Sequence, residues 1–109
     1  MYRSLIVARM QPSAAANIAD VFGRSDRDSD LPQIIGVRGR SLFQFGEIYL
    51  HLVEGDRPVQ AAVTDNRRHP EFRRISEELG PFVSAYDPAT WREPKDAMAQ
   101  EFYRWERDA

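Results

Sequence analysis

His51 is the residue of this 109-residue chain best placed to do chemistry, being one of only two histidines and standing inside the run Ile48-Tyr49-Leu50-His51-Leu52-Val53. Apolar neighbours desolvate an imidazole and lower its pKa, which leaves a neutral base at pH 7. Two readings stand side by side: a proton-handling catalytic histidine, or a core histidine satisfied by a backbone or side-chain partner. Arg40 lies on the preceding run, on the same parity as Arg38 and Leu42, and a tight connection at Gly46-Glu47 puts it diagonally across from His51. Aimed into a cavity, its guanidinium would polarise a carbonyl and hold the enolate oxygen left when a neighbouring carbon loses a proton. Aimed elsewhere, it would pair with a carboxylate such as Glu54 or Asp26. Gly39, between Arg38 and Arg40, leaves space on its own face.

Ser25 and Asp26 belong to the stretch from Arg24 to Asp30, which has no apolar side chain and reads as a solvent-facing or pocket-lining loop. Asp26 would orient His51 or take a proton itself, whereas the commonest use of such residues is turn and cap hydrogen bonding. His69 precedes Pro70 and is expected to cap a helix or close a turn. The chain has no Cys, no Gly-rich phosphate loop, no His-Glu-x-x-His and no Gly-x-Ser-x-Gly. No metal and no cofactor is expected.

The elements that must carry these residues follow from periodicity. A short buried strand spans Leu5 to Met10 and breaks at Gln11-Pro12-Ser13. With Ser13 as N-cap, Ala15, Ile18, Ala19 and Phe22 recur at helical spacing, and Gly23 marks the expected stop. Alternation over Ile34 to Phe45 gives a second strand, joined through Gly46-Glu47 to a third over Ile48 to Val53. Val59 to Arg68 and Glu71 to Leu79 form one broken helix, with Pro70 in the first turn of its second piece. Gly80 to Pro94 holds three Pro and reads as an irregular loop, pinned by Phe82, Tyr86 and Trp91. A last strand is expected over about Ala97 to Trp105. The order predicts an α+β, ferredoxin-like βαββαβ fold: a four-stranded antiparallel sheet backed by helices, in one domain over residues 1–109. Large apolar residues on both faces of the hairpin predict that the uncovered face meets a second copy, giving a homodimeric α+β barrel.

Composition narrows the partners. Fifteen basic residues, all Arg except Lys95, are interspersed with seventeen acidic ones for a net charge of −2. No basic footprint for nucleic acid results. No run nears the roughly 18 apolar residues of a membrane span, so a soluble, cytoplasmic protein with no membrane partner is expected.

Taken together, several spaced stretches resemble the small aromatic polyketide cyclases of the tetracenomycin F2 cyclase type, and most closely the spore-pigment polyketide cyclases. They are Tyr2 to Met10, Leu31-Pro32 leading to Gly36 to Phe43, Tyr49 to Leu52, His69 to Phe72, Tyr86 to Trp91, Ala97 to Ala99 and Phe102 to Trp105. The resemblance implies a homodimer that closes a ring of a poly-β-ketone, or of a partly cyclised intermediate, without a cofactor. It implies aldol condensation and dehydration, with a type II polyketide synthase or its carrier protein as a possible contact. It also places the family's acid/base histidine on His51, its strand arginine on Arg40 and its acidic residue on Asp26. Ser25, expected as a substrate contact, stands where the tetracenomycin type has a histidine, which shifts the burden onto His51 with Asp26. Gly39 departs as well, since relatives often carry another Arg there. Two other readings suit the same expected fold: a cofactor-free monooxygenase acting on an anthrone-like ring, and a non-catalytic partner of a synthase complex.

Overall fold

A computed structural model describes residues 1–108. The chain forms β1 (Tyr2–Met10), α1 (Ala15–Asp28), α2 (Leu31–Ile35), β2 (Val37–Phe45), β3 (Ile48–Gly55), α3 (Val59–Asn66), α4 (Pro70–Leu79), β4 (Val83–Ala85), a 3-10 turn (Pro94–Ala97) and β5 (Met98–Ala99). The sheet is antiparallel and open, in the order β2-β3-β1-β4, with β5 also pairing with β1. This is the expected α+β arrangement, an antiparallel sheet backed by helices.

Alternation along β3 decides what lies inside. Tyr49, His51 and Val53 are buried toward the helices, while Ile48, Leu50 and Leu52 are half-buried on the opposite face. Register extends this division across the sheet: Ala8 faces Tyr49, Ile6 faces His51, and Leu42 faces His51 from the other side. Ile18, Val21 and Phe22 of α1, Leu31 and Ile35 of α2, Val59 and Ala62 of α3, and Ile75 of α4 close over that face. The other face carries Leu5, Val7, Leu50 and Leu52 beside the exposed Phe43 and Phe45, and none of these belongs to the buried core.

Several boundaries differ from the sequence expectation. Helix α1 runs through Gly23 to Asp28, so Arg24 to Asp28 are helical and only Ser29 and Asp30 link α1 to α2. The reason is spacing: Ser25 continues the buried stripe of Ile18, Val21 and Phe22, and the charged residues around it lie on the other helix faces. Ser13 is not the cap either, since Ala14 occupies that position without a side-chain bond. Ile34 and Ile35 complete α2 and do not begin β2. Gly36, at φ 87°, ends this helix in the left-handed conformation that glycine adopts without steric cost.

A bulge between Val37 and Gly39 separates Arg38 from Arg40, despite their shared parity in sequence. Arg38 turns outward to Asp56 at 2.8 Å. The two-residue connection at Gly46-Glu47 is present, with Gly46 at φ 61°. His69 caps α4, its Nδ1 accepting from the Glu71 amide at 3.1 Å.

The expected last strand is the largest correction. The edge beside β1 is shared by β4, from within the Pro-rich segment, and the two-residue β5. Residues 100–108 have no regular structure, and Phe102, Tyr103 and Trp105 are exposed. Ion pairs of Glu101 with Arg3 and Arg104 hold this segment. Within one chain these aromatics have no core to enter. No helix among the described residues is long and apolar enough to cross a membrane.

Candidate active site

Strand β3 turns Tyr49 and His51 to the same face because they are two residues apart, and β2 delivers Arg40 diagonally across the ladder. Arg40 Nη1 lies 3.0 Å from His51 Nε2, and the Tyr49 hydroxyl lies 3.0 Å from His51 Nδ1. On its other side Arg40 makes a two-pronged bond to Asp26, Nε to Oδ2 at 3.0 Å and Nη2 to Oδ1 at 2.9 Å. Asp26 reaches Arg40 because α1 extends past Gly23. Phe22 fills the angle between them: the Arg40 guanidinium carbon sits 4.8 Å from its ring centre, and the His51 ring meets it edge-on at 4.9 Å.

Donor and acceptor chemistry fixes the imidazole's state. A guanidinium only donates, so His51 Nε2 must accept with its lone pair. The ring hydrogen therefore sits on Nδ1 and is donated to the Tyr49 oxygen. His51 is 4% exposed, and burial, followed by the Arg40 charge, lowers its pKa from 6.5 to about 3. The imidazole is neutral at pH 7. Burial pushes the Tyr49 phenol well above its ordinary range, with Arg40 pulling the other way, so that side chain is neutral as well.

Two hollows meet at His51. The smaller, about 80 Å³, is lined by Arg40, Ser25 and His51 among apolar side chains of α2, α3 and β2. The larger, about 480 Å³, lies between the sheet, α4 and the segment carrying Trp91 and Pro94, and His51 and Tyr49 form part of its largely apolar wall. Ile6, Phe22, His51, Val63, Phe72 and Ile75 border both. Only the larger has room for more than a few atoms.

The structure thus brings His51, Arg40 and Asp26 into one connected cluster. Ser25 joins the wall of the small hollow, where it is buried with its hydroxyl 3.3 Å from that of Ser29. It does not border the larger cavity. Tyr49 is the residue that sequence reasoning passed over. Its signal was available, since a residue two before a buried strand histidine shares its face.

A sheet-and-helix fold in which a buried neutral histidine, bonded on one side to an ion-paired arginine and on the other to a phenol, stands between two adjoining apolar hollows defines a class: α+β proteins with proton-handling groups at a cavity held away from water. Comparison makes the class specific. The family described as polyketide synthesis cyclase matches residues 2–106, and the chain belongs to that family. Tetracenomycin F2 cyclase of Streptomyces glaucescens is 39% identical over 95% of this chain and 94% of that protein. Its solved structure, described as that of a type-II polyketide cyclase, superposes with a TM-score of 0.92 at 38% identity, covering 99% of this chain and 100% of that one. Polyketide synthase CurG of Streptomyces cyaneus is 51% identical over 99% of this chain and 100% of that protein. An uncharacterized Streptomyces coelicolor protein is 58% identical over 98% of this chain and 96% of its own length.

Proposed function

We propose that this chain closes a ring of a poly-β-ketone, or of a partly cyclised intermediate, by aldol condensation and dehydration, with no cofactor. The observation that carries the reading is a neutral His51 held between Arg40 and Tyr49 on the wall of the 480 Å³ apolar cavity. A methylene between two carbonyls is already acidic. The protein must favour its enolate and bring one carbanion to one carbonyl more than it must supply a strong base.

The roles follow from position. His51 moves the proton, in a state where Arg40 fills its Nε2 lone pair at rest. The substrate's carbonyl oxygen competes with Nε2 for the guanidinium, so proton removal and the movement of Arg40 onto the developing enolate oxygen proceed together, and that movement removes the positive charge that weakens the base. Arg40 then stabilises the oxygen. Asp26, bonded to Arg40 through two nitrogens, limits the guanidinium to that short path. Ser25 shapes the small hollow in which Arg40 lies. The apolar walls fold the substrate and so select which ring closes.

The uncovered sheet face supports a homodimer, because Leu5, Val7, Phe43, Leu50 and Leu52 form an apolar surface that water disfavours. Sedimentation should give twice the chain mass, and Leu50→Glu should shift it to the monomer. The name of the relative, polyketide synthase CurG, supports work beside a polyketide synthase. The test of function is a minimal type II polyketide synthase run with and without the protein, its products separated by mass and NMR. The expected result is a new ring pattern with no oxygen consumed. Unchanged products would sink the cyclase reading, and oxygen uptake would replace it with an oxygenase. A new pattern that survives loss of both His51 and Arg40 would leave a scaffold without catalysis.

A further inference from the structure

The hydrogen bonds of the cluster all run in one direction. Arg40 donates to His51 Nε2, and His51 Nδ1–H donates to the Tyr49 oxygen. Tyr49 is consequently an acceptor toward His51, and its own O–H must point elsewhere. That hydroxyl makes no second bond among the described residues, and Tyr49 borders the larger cavity. A polar hydrogen that has no protein acceptor and belongs to a cavity wall is a donor for an oxygen atom of a substrate.

We propose that Tyr49 is a catalytic residue, whose hydroxyl binds the carbonyl oxygen attacked in ring closure and then gives that oxygen its proton. The inference rests on the cyclase reading and adds the acid that complements the His51 base. Placement supports it. His51 is the common wall of both hollows, so its Nε2 side lies toward Arg40 and its Nδ1 side toward Tyr49. Base and acid therefore act from opposite edges of one ring.

The step balances without any co-reactant. As Arg40 turns to the neighbouring carbonyl oxygen, His51 Nε2 takes the proton from the activated carbon, and that carbonyl oxygen becomes the enolate oxygen. The carbanion pair forms the new C–C bond, and the π pair of the attacked carbonyl moves to its oxygen. That oxygen takes the Tyr49 proton, and the Tyr49 oxygen takes the proton of His51 Nδ1. The proton lost from carbon is replaced by one on the new hydroxyl, and His51 is left neutral with its hydrogen on Nε2. Coupling is built in, because an imidazolium donates to Tyr49 more strongly than neutral imidazole does, at the moment when charge develops on the substrate oxygen. Exchange with water on product release restores the resting tautomer.

Two measurements test the assignment. Tyr49→Phe keeps the ring that packs against Ala8 and removes only the oxygen. With the polyketide made in situ by a minimal type II synthase, ring-closed product should form about a hundredfold more slowly, the cost of losing one oxyanion donor. A folded Tyr49→Phe protein working at the wild-type rate overturns the proposal and leaves the cyclase reading standing. Nitrogen-15 NMR of histidine-labelled wild-type protein needs no substrate and keeps the proposal refutable even where the variant fails to fold. The expected spectrum has the His51 hydrogen on Nδ1, and a hydrogen on Nε2 refutes the proposal. If the wild-type protein leaves the synthase products unchanged, the cyclase reading falls, and the tautomer measurement shows separately whether the hydrogen-bond chain exists.

Discussion

Lowering the pH from 7 to 5 should destabilise the fold chiefly through His51, in a window that lies above most of the proton uptake of the arginine-held carboxylates. The native imidazole has a pKa lowered from 6.5 to about 3 by burial and by Arg40. In the unfolded chain it takes a proton as pH falls through 6.5, while in the folded protein it stays neutral until about pH 3. The unfolded state binds more protons across that range, so stability is lost as pH falls. Each pH unit below 6.5 costs about 1.4 kcal/mol, or about 2 kcal/mol by pH 5 and about 5 kcal/mol in full. The carboxylates held low by arginine partners begin lower: Glu71 is depressed from 4.5 to about 2, first by its bond from Arg74, and Glu78 and Glu101 are lowered from 4.5 by Arg24 and Arg104. The assay is urea unfolding at pH 7 and pH 5, at one protein concentration, for wild type and His51→Gln. Wild type should lose about 2 kcal/mol more than the variant over this interval. A difference under about 0.5 kcal/mol, or an NMR titration of His51 with a midpoint near its ordinary value, refutes the burial and charge argument.

Three further variants have checkable outcomes. Arg40→Ala removes the second cause of the depressed His51 pKa, so the NMR midpoint should move up yet stay below the ordinary value, because burial is the larger cause. The same variant should divert polyketide product to shunt compounds, and a wild-type profile would count against Arg40's role. Asp26→Asn should change stability by less than about 1 kcal/mol in thermal unfolding, since the Asp26 side chain is 38% exposed and its ion pair is partly screened. Its product profile should shift toward that of Arg40→Ala. Gly36→Ala should cost at least about 1 kcal/mol by the same unfolding assay. Its φ is 87°, and an added Cβ would stand 2.7 Å from Arg57 Nε.

Much of the fold was legible because a strand's period of two is written directly in residue order. The β2–β3 hairpin followed from alternation and a two-residue turn, and with it the diagonal approach of Arg40 to His51. Helix α4, its Pro70 start and the His69 cap were equally local. Boundaries set by competition were not legible. Gly23 has helix-ending character, but the burial of Ser25 beyond it holds α1 together to Asp28. Alternation after Ala97 suggested a long strand, yet pairing with β1 ends at Ala99 opposite Leu5, Val83–Ala85 takes the other end of that edge, and the later aromatics lie exposed without a core in one chain. Parity likewise placed Arg38 with Arg40, and only the bulge at Val37/Gly39 parts them.

Residue order by itself determined which side chains share a face, so it named His51 and Arg40 and the strands that hold them. Tertiary structure decided what those groups are. Whether Arg40 meets Asp26 or Glu54, which histidine nitrogen carries the hydrogen, and that Tyr49 completes the chain all depend on distances of about 3 Å between elements far apart in sequence. Hydrogen bonds and desolvation act over such lengths only, and periodicity along one strand contains no information about what another element brings across the core.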